Sequence, residues 1–218
     1  MQLPENYTFD QKDIKHARIR VNETGSVRIL VPLDFTDDDV DALIRKKRRW
    51  IEKQQAFFAK KESLPLSRNQ LLLFGGRYNY FHDDTYKRRV MIDHEHKTIR
   101  AARDLLDMDI QEKWYKSYAK KYMTKRTEEL AYKLGFEYEK LYVRSQRTKL
   151  GNCSASKNIS LNWRLIKAPQ SVIDYIIVHE LVHTKVMSHS RKFWTLLKSH
   201  YPDYKKAVLW LDKYGNSL

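Results

Sequence analysis

Asp174-Tyr175-Ile176-Ile177-Val178-His179-Glu180-Leu181-Val182-His183 is the stretch that decides how this chain is read. Its first half is apolar in a helical pattern, and its second half is an H-E-x-x-H motif. On a helix, side chains four residues apart project about 40° from one another, so both imidazoles can reach a single metal ion. Glu180 points elsewhere than a first ligand would, and stands where a carboxylate can take a proton from a metal-bound water. A catalytic zinc takes three protein ligands and keeps one position open. His189 is the best third ligand, because the helix can break at Met187-Ser188 and turn the chain back. His200 is the weaker alternative. Burying His179, Glu180 and His183 beside an apolar face without a partner would be costly, which favours a metal over a chance pattern.

Outward from this motif, the chain reads as α+β. On the N-terminal side of the motif, Pro169 opens the helix, with Ser171 and Asp174 spaced as a capping box. Lys140–Arg144 and Asn158–Asn162 are strands, with a turn at Ala155-Ser156-Lys157. A long helix spans about Asp107 to Leu134, with an apolar stripe of Trp114, Tyr118, Tyr122, Leu130 and Leu134, and it is closed by Gly135. Leu71 to Phe81 is a hairpin turning at Gly75-Gly76, and short strands follow at Val90–Ile92 and Thr98–Arg100. His94 and His96 lie in a charged turn, where solvated polar residues are the ordinary reading. Nearer the N-terminus, Lys15–Val21 and Val27–Val31 form a hairpin around Gly25. A helix then starts at Thr36, with Asp37, Asp38 and Asp39 in its first turn. Two short helices, about 190–199 and 203–214, end the chain. A boundary at 104/105 divides a β-rich region with one helix from a catalytic region containing a small antiparallel sheet.

Composition narrows the classes. The chain has 218 residues and 42% hydrophobic residues, enough for a core. It has no apolar run of membrane-spanning length and no apolar leader at its start, and its one cysteine, Cys153, excludes an internal disulfide. These features predict a cytoplasmic protein. The net charge of +15 favours polyanionic partners such as nucleic acid or nucleotides. The densest basic run, Arg45 to Arg49, falls on a helix and is in large part its solvated face.

The flanks of the motif carry a resemblance. Gly151-Asn152-Cys153-Ser154, Asn158 to Ile166, Ala168-Pro169, Val178 to His183 and His189-Ser190-Arg191-Lys192-Phe193-Trp194 together resemble the YgjP-like metallopeptidase family, related to the SprT and WLM groups of minimal zincins. The resemblance implies a zincin-like catalytic domain, with His179, His183 and His189 as Zn²⁺ ligands and Glu180 as general base. The family usually reads R-W-G-S-C at the upstream strand; here Lys149, Leu150, Gly151, Asn152 and Cys153 stand there, so Leu150 and Asn152 depart. An edge strand beside the metal can pair with an extended substrate through its main chain, which makes Lys149, Gly151, Asn152 and Cys153 the expected substrate-binding residues. Cys153 itself reads as a small buried side chain. Tyr175, Tyr201, Tyr204 and Arg147 are the residues available to stabilise an oxyanion.

The expected function is a metal-dependent hydrolase acting on a peptide or protein. Two alternatives accompany it. The resemblance also suggests nucleoside triphosphate pyrophosphatase activity, notably on UTP. The third reading is a nucleic-acid-associated module with a structural metal.

Overall fold

The computed structural model describes residues 4–22, 24–59, 66–87, 89–146, 148–215 and 218. They form two compact units, Met1–Ser63 with Lys213–Ser217, and Leu64–Asp212 with Leu218.

In the smaller unit, β1 (Tyr7–Gln11), β2 (Arg18–Val21) and β3 (Val27–Val31) form a sheet with β3 in the centre, parallel to β1 and antiparallel to β2. The expected hairpin is β2–β3. Its turn is held by the Asn22 side-chain oxygen, which accepts from the Thr24 and Ser26 amides, and Gly25 adopts φ +77°. The helix α1 (Asp37–Ala59) starts where Thr36 predicts. The Asp39 amide donates to Thr36 Oγ1, and the Thr36 amide donates to Asp39 Oδ2 at 3.0 Å. Val40 and Ile51 of α1 are buried with Val27, Ile29 and Val31. Arg45 to Arg49 are exposed, as the charge pattern requires.

In the larger unit, β4 (Gln70–Leu73), β5 (Gly76–His82), β6 (Met91–Asp93) and β7 (Thr98–Ala101) lie in the order β4-β5-β7-β6. The β4–β5 turn has φ +49° at Phe74 and +75° at Gly75, the mirror-image turn that suits a two-residue hairpin. Glycine is required at 75 for a second reason, since an added Cβ would lie 2.7 Å from Pro169 Cγ. Next come α2 (Met108–Leu134), β8 (Leu141–Arg144), β9 (Gly151–Cys153), β10 (Ile159–Asn162), a short 3-10 helix (Trp163–Lys167), α3 (Gln170–His183), α4 (Arg191–His200) and α5 (Tyr204–Tyr214). Asp107 caps α2 through the Asp109 and Ile110 amides, and Gly135 closes it in the left-handed conformation. The apolar stripe of α2 buries Trp114, Tyr115, Ala119, Met123 and Leu130.

Two expectations are corrected. The sheet beside α3 is mixed, not antiparallel: β10 is central, antiparallel to β9 and parallel to β8. All four β10 residues are buried, which suits a middle strand. Leu71, Tyr78, Tyr80, Ile99 and Leu105 share one core with Trp114, Ile159 and Ile177. The capping box at Ser171 and Asp174 does not form, and α3 has no side-chain cap. Arg126 of α2 instead donates to both Asp174 oxygens at 2.7 Å. No described helix is long and apolar enough to cross a membrane.

Candidate metal centre

The helix α3 is apolar on nearly all sides, and ten of its residues are buried, Glu180 and His183 among them. A helix so enclosed holds its side chains in fixed directions, which a polar helix at the surface would not. Beyond His183 the chain leaves the helix. Thr184 and Lys185 donate to the Leu181 and Val182 carbonyls, and the Ser190 amide reaches back to Ser188 O. That reversal brings His189 to the other two imidazoles.

The three Nε2 atoms form a nearly equilateral triangle. His179 to His183 is 3.2 Å, His183 to His189 is 3.1 Å, and His189 to His179 is 3.0 Å. The Nδ1 of His183 lies 3.0 Å from Val186 O, a carbonyl that can only accept. The ring proton therefore sits on Nδ1, and Nε2 presents a lone pair. With the same tautomer on His179 and His189, three lone pairs would converge here, an arrangement that a cation among them relieves. Four nitrogens around a tetrahedral zinc at about 2.0–2.1 Å are separated by about 3.3–3.4 Å, close to the triangle seen here. The donor set thus fits a zinc-like ion, and among the described residues it is the one His/Cys/Asp/Glu cluster of this kind. Burial holds His179 down at about 3, with the neighbouring imidazoles adding to the effect, and burial also lowers His183. Both rings are therefore neutral, as ligands must be.

Phe193, fully buried on α4, holds the trio from behind. Its ring centroid lies 4.9, 4.5 and 4.8 Å from those of His179, His183 and His189. Trp194, 38% exposed, stacks on His189 at 5.8 Å. Sequence reasoning quoted Phe193 and Trp194 only as part of a family pattern; the H-S-R-K-F-W spacing places both on the first turn of α4, which is the signal that could have found them.

Glu180 is 5% exposed, and burial pushes its carboxyl up to about 8, opposed by the Lys149 charge. Its Oε2 has no hydrogen-bond partner among the described residues. The strand packed beside it is β9, an edge strand. In the antiparallel register with β10, the Asn162 amide donates to Leu150 O and the Ser154 amide to Asn158 O. By alternation, Asn152 faces β10 with its main-chain groups, while the N–H and C=O of Gly151 and Cys153 point to the free edge. The Asn152 side chain accepts from Gln146, and Lys149 is exposed with its carbonyl held by Asn162 Nδ2. The half-buried Cys153 thiol is pushed up to about 11, first by burial and then by Glu180, so it is protonated at neutral pH.

Of the remaining sequence candidates, Tyr175 lies beside the trio. The Tyr201 hydroxyl donates to Ser171 O at 2.7 Å. Tyr175 is buried edge-on to His179 at 5.8 Å, and Tyr204 packs on Trp194. Arg147 lies outside the described residues. His200 packs on Phe136. His94 pairs with the Tyr78 hydroxyl, and His96 with Asp93.

A family model described as the YgjP-like metallopeptidase domain matches residues 15–214. This chain belongs to the YgjP-like metallopeptidase family. Two solved structures are similar to this family member over part of its length. The metallopeptidase zymogen of Pyrococcus abyssi abylysin is 19% identical, with a TM-score of 0.36, over 42% of this chain and 97% of its own. The metallopeptidase zymogen of Methanocaldococcus jannaschii jannalysin is 21% identical, with a TM-score of 0.35, over 40% of this chain and 93% of its own. No curated protein matches.

Proposed function

We propose that this YgjP-like chain is a zinc-dependent peptidase in which His179, His183 and His189 hold the ion and Glu180 is the general base. The observation that carries this reading is the trio of converging Nε2 atoms, 3.0–3.2 Å apart, on and just after a helix that also buries Glu180. A zinc ion bound there supplies Lewis acidity, polarising the scissile carbonyl and acidifying water.

The chain's own residues do the rest. The Glu180 carboxyl, held near the top of its range by burial, is matched to taking and returning a proton near neutral pH. Gly151 and Cys153 offer main-chain groups for an extended peptide laid along β9, with Lys149 and Asn152 flanking it. The neutral Cys153 thiol is no nucleophile in this scheme.

Glu180→Gln tests the reading. The expected result is an unchanged metal content with peptide turnover reduced about 10²–10⁴-fold. Unchanged turnover at full metal occupancy would rule out the base. Pyrophosphate release from UTP, measured in the same samples, addresses the nucleotide alternative: its appearance in the parent and loss in His183→Ala would favour that chemistry instead.

A further inference from the structure

A residue with no side chain, Gly151, lies against Glu180. A Cβ built on Gly151 would lie 2.7 Å from Glu180 Oε1, 2.9 Å from its Cγ and 3.0 Å from its Cδ. The carboxyl group therefore rests against the main chain of β9, in the space that any other residue at 151 would fill. Backbone conformation does not call for glycine here, because Gly151 is not among the residues with positive φ. The requirement comes from the carboxyl group alone.

We propose that Gly151 is a positioning residue for Glu180, and this rests on the reading of Glu180 as general base. The empty Cβ position fixes where the carboxyl lies, and the same residue turns its N–H and C=O to the free edge of β9. One residue thus sets the distance between the proton acceptor and a peptide paired along that edge. A methyl group at 151 would meet the Glu180 side chain from Cγ to Oε1, not backbone. Glu180 rotates away in response, and the strand and helix stay in place. A shift of about 1 Å in a catalytic group is enough to cost about a hundredfold in rate.

Gly151→Ala tests this, with metal content, thermal midpoint and peptide kinetics read on the full chain. The expected result is an unchanged metal content and a kcat lowered about a hundredfold, with KM moved by less than about twofold. In a Glu180→Gln background the same change should cost nothing more, because the group it displaces no longer acts. A residue with a merely structural role would lower the rate equally in both backgrounds. If Gly151→Ala also lowers the thermal midpoint, adding Glu180→Ala should restore it by removing the atoms that the methyl meets. A loss that persists in the double variant overturns the contact. A parent that cleaves peptide while Gly151→Ala cleaves as fast overturns this assignment and leaves the functional reading standing. A metal-loaded parent that cleaves no peptide overturns both.

Discussion

His179, His183 and Glu180 could be placed from the sequence because helix periodicity alone puts them together. His189 needed one further step, a break in the helix, which the Ser188-Ser190 turn supplies. Phe193 could not be assigned that way, since its role is a contact made across a turn. Its ring touches all three imidazoles, so Phe193→Leu should keep the fold while weakening metal affinity about tenfold, by titration against a competing chelator. Unchanged affinity would make Phe193 a plain core residue. The Glu180 carboxyl also predicts a pH dependence in the metal-free protein. Its folded value, about 8, lies above its ordinary value of 4.5, so between those limits the folded state holds a proton that the unfolded chain has lost. Stability from this group is present below about pH 4.5 and lost as pH rises toward 8. Thermal melts should show Glu180→Gln gaining on the parent across that window; a constant gap would contradict the burial of an ionisable carboxyl.

Elements were readable where a local pattern determines them. The Thr36 and Asp107 starts, the Gly25 and Gly75 turns and the Gly135 stop are all choices made within a few residues. Pairing between distant segments was not readable, as with β1 against β3 and β8 beside β10, because nothing in a strand's own sequence names a parallel partner. The Asp174 misreading has the same cause. Its spacing from Ser171 is that of a capping box, yet its carboxylate is claimed by Arg126, 48 residues earlier. The Asp174 side chain is mostly covered, and the pair ties α3 to α2 five residues before His179. Asp174→Asn should therefore cost about 1–3 kcal/mol in chemical denaturation. A change within about 0.5 kcal/mol would show that the ion pair does not hold the helix.

At the scale of the molecule, the core around α3 draws on residues far from it in the chain. Ala101 and Leu105 are fully buried in it. The sheet from β4 to β7 belongs to the unit that carries the three histidines, and its Phe74 and Gly75 amides bond to the Ile166 and Lys167 carbonyls just before α3. Metal bound only by the folded chain should stabilise it by about 2.7 kcal/mol at a free concentration a hundred times the dissociation constant. Chelation should accordingly lower the thermal midpoint of the parent and leave that of His189→Ala where it was. An equal response in the two proteins would place the metal elsewhere.

Anomalous diffraction at the zinc absorption edge tests the central claim most directly. The account predicts a single strong peak bonded to Nε2 of His179, His183 and His189, with no protein side chain in the fourth position. A peak away from these rings, or a fourth protein ligand closing the site, would contradict it.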